Sequence, residues 1–78
     1  MTIIEAKVVG YRPYEFTGRD GETVGMVEVL GTYPSKNIIG SGVLKTNLSR
    51  NKFDSLKLDI GKTIHVMFYD KRWHAVTV

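Results

Sequence analysis

The sequence contains no cysteine. That excludes a disulfide framework, a thiolate metal site and a thiol nucleophile, and it fits a reducing compartment. The expected location is the cytoplasm. Long apolar runs are missing too: none approaches the roughly 20 residues a membrane helix needs. Residues 1–5 (Met-Thr-Ile-Ile-Glu) lack the basic start and long apolar stretch of a signal peptide. Histidine occurs only at positions 65 and 74, and without well-spaced carboxylates these make no zinc site. They are expected to pair across the last hairpin. Glu28 is an isolated carboxylate, and acid–base chemistry needs a positioned partner. Ser35, Ser41, Ser49 and Ser55 have no recognisable base arrangement. The Gly18–Gly21 and Gly40–Gly42 spacings lack the strand-to-helix context of a phosphate loop. No enzyme signature is present, and no cofactor or metal is expected.

What the chain has is cations and aromatics at turns and element ends. Eleven Lys and Arg against eight Asp and Glu give a net charge of +3 and an isoelectric point near 9.3. A moderately basic balance suits a polyanionic partner. Seventy-eight residues allow one domain, spanning residues 1–78. A core of this size supplies about 3–5 kcal/mol of net stability, so a closed barrel or a partner subunit is expected to help.

Val, Ile, Thr, Tyr and Gly dominate, and strands follow from that. Residues 3–9 alternate, with Ile4, Ala6 and Val8 facing one way and Glu5 and Lys7 the other. Gly10 and Pro13 should bend or bulge this strand, which resumes through Tyr14 and Phe16. Thr17-Gly18-Arg19-Asp20-Gly21-Glu22 is a hairpin turn, because Asp and Gly tolerate positive φ. Residues 23–30 return as the second strand, and Gly31 to Asn37 form a loop. Residues 38–45 read as the third strand, with Gly40 and Gly42 marking strong curvature or close approach of another backbone. A short helix is expected between Asn47 and Leu58, capped by Asn47 or Ser49. Residues 63–69 form a clear strand with Ile64, Val66 and Phe68 on one face. Asp70-Lys71-Arg72 turns the chain, and Trp73 to Val78 is the last strand.

The order is three strands, a helix and two strands. This predicts an all-β domain: a five-stranded OB-fold-like Greek-key barrel with one short helix between strands three and four. Such a barrel protects the edges of a small sheet. An SH3-like barrel is the alternative architecture, but it lacks a helix at this place. The long bent first strand, the Phe16-Thr17-Gly18-Arg19-Asp20-Gly21 hairpin, the central helix and the Ile60-Gly61-Lys62 lead into strand four resemble small OB-fold single-stranded DNA-binding proteins. Those of phages and mobile elements, including the filamentous-phage gene V type, are similar in size and basic character. The 47–58 segment departs from the gene V type, which has little regular helix. The resemblance implies a role in DNA replication, binding along strands two and three and at the hairpins, and a homodimer.

Cations hold phosphates and aromatic faces stack on unpaired bases. The candidate phosphate contacts are Arg12, Arg19, Lys36, Lys45, Lys71 and Arg72. The candidate stacking faces are Tyr11, Tyr14, Tyr33 and Trp73, with Tyr11, Arg12 and Tyr14 expected near one groove around Pro13. The expectation is a non-enzymatic, helix-destabilising single-stranded DNA-binding protein of low sequence specificity. RNA is a close variant, since nothing identifies a reader of the 2′-hydroxyl. The alternative is a small β-barrel interaction or assembly module. Its docking surface would be apolar side chains opposite the core faces: Met26, Leu30, Met67 and Tyr69. The same patch would serve a homodimer.

Overall fold

The computed structural model describes residues 2–77. Five strands form one antiparallel sheet: β1 (Ile3–Thr17), β2 (Thr23–Pro34), β3 (Ser41–Ser49), β4 (Thr63–Tyr69) and β5 (Arg72–Ala75). One short helix, α1 (Arg50–Ser55), lies between β3 and β4. The strand order is β3-β2-β1-β4-β5. The β-rich class and the place of the helix match the expectation. The sheet itself is not closed: no ladder joins β3 to β5 among the described residues. β5 is instead tied to β3 and to α1 through side chains: the Thr46 hydroxyl of β3 donates to the Trp73 carbonyl at 3.1 Å, and Lys52 Nζ of α1 donates to the Ala75 carbonyl at 3.3 Å.

β1 serves two neighbours. Ile3 to Lys7 pair with β4, and Lys7 to Thr17 pair with β2. The register shifts between Val8 and Gly10, the bulge expected near Gly10, and it bends the strand away from β4. Pro13 lies past that point, where β1 has only β2 beside it, so its missing N–H leaves no second ladder broken. Gly31 sits under the bend. A Cβ there would come 3.3 Å from both Ala6 Cβ and the Lys7 carbonyl, so the two strands close on each other only at a glycine.

Alternation builds the core. Ala6, Val8, Val27, Val29, Leu44, Leu48, Ile64 and Val66 are buried on one face. Phe53 of α1 and Leu58 behind it close the end of that face. Among the described residues Thr46 is the one buried polar residue, and its bond to Trp73 offsets the cost of burying a hydroxyl.

Element ends differ from the sequence reading for local reasons. β2 runs on to Pro34 rather than stopping at Leu30, since β3 pairs with it from Met26 to Pro34. β3 begins at Ser41 instead of residue 38, because Gly40 takes φ +93° and breaks the extended run. The helix is shorter than expected: Ser49 caps it by accepting from the Lys52 amide, and Lys57 in the left-handed region ends it. Gly42 does admit a close approach, but of a ring rather than a backbone, namely Tyr33. The histidines do not pair, because the β4–β5 register puts Met67 opposite His74. His65 lies 3.5 Å from Glu5 instead, and His74 stacks on Tyr69 with centroids 3.8 Å apart. β5 ends at Ala75; the expected Val78 terminus lies outside the described residues.

The β4–β5 hairpin is as tight as a hairpin can be. Tyr69 pairs with Arg72, leaving only Asp70 and Lys71 in the turn. Both have positive φ, at 53° and 63°, the pattern of a type I′ turn, which suits the strand twist but favours Asn and Gly. Lysine is strained there. Lys71→Gly is therefore expected to raise stability by about 0.5–1 kcal/mol in urea unfolding, even as it removes a charge.

Candidate nucleic-acid interface

The sheet face away from the core carries one group of candidate residues. Strict alternation after the bulge puts Arg12 and Tyr14 of β1 on this face, beside Glu28 and Met26 of β2. β3 adds Lys45 and Asn47. The Glu28 carboxylate is shared: one oxygen lies 3.5 Å from Arg12 Nε and the other 3.7 Å from Lys45 Nζ. Both cations stay largely exposed while the Glu28 side chain is only 17% exposed. Tyr14 donates its hydroxyl to Asn47 Oδ1 at 3.0 Å, and the Arg12 guanidinium lies 5.8 Å from the Tyr14 ring centre. Glu28 lowers the positive field here, and the Tyr14 hydroxyl is tied to β3 through Asn47.

Tyr11 does not join this group. It lies three residues from Tyr14 with no bulge between them, so the two rings face opposite sides of β1. Tyr11 packs on Phe53 of α1, centroids 4.9 Å apart. The single groove expected around Pro13 is therefore split. Arg19 stands exposed at the tip of the β1–β2 hairpin, where the Gly18 amide donates to the Glu22 carbonyl and the Glu22 amide to Asp20 Oδ1.

The second group lies at the opposite end of β2. Tyr33 is half-buried with its ring over Gly42, 5.6 Å from the Trp73 centroid. Phe68 meets Trp73 edge-on, centroids 5.1 Å apart. This contact brings the β2–β3 loop, with Lys36, to the same end as the β4–β5 hairpin, with Lys71 and Arg72. Among the described residues Arg19, Lys36, Lys71 and Arg72 make no ion pair. Trp73 is thus neither a free stacking face nor a fully enclosed plug: it is the middle ring of three, half-buried against the core.

Phe68 is the residue that alternation misplaced. It shares a face with the buried Ile64 and Val66 yet is 52% exposed. β1 begins opposite Met67, so β4 beyond that point has only β5 beside it, with Trp73 against Phe68. The proximity of Phe68 to the Asp70-Lys71 turn was the available signal. Of the apolar residues picked as a docking patch, Tyr69 is exposed at 40% while Met26, Leu30 and Met67 are half-buried; Ile39, Val43, Ile60 and Phe68 are more exposed than any of them.

Among the described residues no three His, Cys, Asp or Glu side chains gather as metal ligands, and no helix is long and apolar enough to cross a membrane. Comparison of the chain with protein-family models, curated proteins and solved structures found no match. The site's own chemistry therefore carries the functional reading.

Proposed function

We propose that this chain is a non-enzymatic single-stranded DNA-binding protein of low sequence specificity. The observation that carries the reading is the three-ring cluster Tyr33–Trp73–Phe68 beside Lys36, Lys71 and Arg72, three cations without a carboxylate partner. Rings of this kind stack on bases of any sequence, while the cations hold the backbone. Held this way, an extended strand is withdrawn from base pairing, which is helix destabilisation. Arg12, Tyr14 and Lys45 extend the contact across the outer face, and Arg19 reaches further along the strand. Tyr11 supports the interface from below through Phe53. RNA remains the variant ligand, since the contacts are to rings and phosphates.

An OB-type barrel is the architecture we assign to this role. Its support is the strand order with the helix between β3 and β4. The contacts of β5 add to it: Thr46 of β3 meets Trp73 and Lys52 of α1 meets Ala75. The antiparallel order β3-β2-β1-β4-β5 makes β3 and β5 run in one direction. A homodimer, a place in DNA replication of a phage or mobile element, and a cytoplasmic setting complete the proposal by resemblance to the gene V type.

The second reading is a protein-interaction module. It is favoured by Val43, 72% exposed on β3, and Ile60, 58% exposed before β4. The two readings separate in one experiment on Lys71→Ala and Arg72→Ala. Each variant is expected to weaken oligo(dT) binding about equally for all sequences and to flatten the log–log salt slope by roughly 0.7. An unchanged slope in both removes this hairpin from the interface and favours the interaction module.

A further inference from the structure

The β2–β3 loop exposes apolar side chains with nothing of their own to cover. Ile39 is fully exposed at 106% and Ile38 is 43% exposed. The loop is braced rather than open: the Asn37 amide donates to Ser35 Oγ and the Ile38 amide to the Ser35 carbonyl, both at 3.4 Å. Its two stems are locked where the Tyr33 ring lies over Gly42. Lys36 lies in the loop itself, and the Tyr33–Trp73 contact brings the loop to the end of the sheet that carries Lys71 and Arg72.

We propose that the Ile38-Ile39 tip is a wedge that enters the end of a base-paired segment and unstacks its terminal pair. This rests on the single-strand reading above and extends it to the junction between duplex and single strand. Apolar side chains inserted between base steps unstack them, and the cost is recovered by contacts to the strand so released. The geometry suits that sequence of events. Tyr33 belongs both to the loop stem and to the ring cluster, so a base parted at the tip has the ring platform next to it. Lys36, with Lys71 and Arg72 at the same end of the sheet, attracts the phosphates on either side of the parted step. A lipid surface fits less well, because even a myristoyl chain, larger than two isoleucine side chains, gives only marginal membrane binding.

The test compares the wild type with the Ile38→Ser, Ile39→Ser double variant on a short duplex carrying an oligo(dT) tail, with 2-aminopurine in the terminal pair. The wild type is expected to raise the open fraction of that pair about tenfold. The double variant should bind oligo(dT) as tightly yet leave the pair stacked, and Ile39→Leu should keep the opening. Equal opening by the double variant overturns the wedge. So does a parallel loss of oligo(dT) binding, which makes the loop an ordinary strand contact. Wild-type protein that binds no oligo(dT) at all fails the single-strand reading itself. Cosedimentation with phosphatidylglycerol vesicles that is lost in the double variant assigns the tip to lipid and also overturns the wedge.

Discussion

Replacing Trp73 by Ala is expected to lower unfolding free energy by about 2–4 kcal/mol, somewhat below the loss for a fully buried ring. Trp73 packs on the core between Tyr33 and Phe68, and its carbonyl accepts the Thr46 hydroxyl that links β5 to β3. Truncation removes the middle ring and loosens that seam. A domain of this size has about 3–5 kcal/mol in total, so the variant should be largely unfolded at physiological temperature. Trp73→Phe keeps a ring in place and should fold. Urea unfolding decides the matter: an Ala variant as stable as the wild type would mean that Trp73 is a surface ring and that the seam is held elsewhere.

Gly42→Val is expected to have the second large effect. Gly42 has no positive φ to explain it; space alone does. A Cβ at this position would lie 2.4 Å from Tyr33 Cζ and 2.7 Å from two further ring carbons. Either the ring moves or β3 does. Overpacking of this kind costs about 1–3 kcal/mol, and expulsion of Tyr33 takes one stacking face from the cluster. The folded fraction of the variant should therefore lose about 1–3 kcal/mol of oligo(dT) affinity as well. Thermal melting and a binding titration of the same sample check both parts. A variant that melts and binds as the wild type does would show that Tyr33 has another rotamer at no cost and that the ring cluster is not fixed.

Much of the fold was legible because it depends on local patterns. Alternation in residues 63–69 matched β4 end for end, and Thr17 to Glu22 carried its turn in Asp and Gly. Gly10 announced the bulge in β1. Features set by distant strands were not legible. Phe68 has the alternation of a core residue, and only the point where β1 begins decides that it is exposed. The sharing of Glu28 between Arg12 and Lys45 depends on a register across three strands. Tyr11 and Tyr14 are close in sequence, and both flank Pro13. An intact register between them, which no composition reveals, sends them to opposite faces. The end of β5 was not legible either: its strand pattern reads on to Val78, whereas the strand stops at Ala75.

The central claim is that bases stack on the ring cluster while unpaired cations hold the backbone. Trp73 is the only tryptophan, so its fluorescence reports on that cluster alone. The most direct measurement is a titration with oligo(dT) and with a duplex of equal length across a range of salt concentrations. The account predicts quenching by oligo(dT), weaker binding to duplex, and a linear fall of log affinity with log salt at roughly −0.7 per phosphate held. An unquenched signal, or binding that ignores both salt and strandedness, would contradict it.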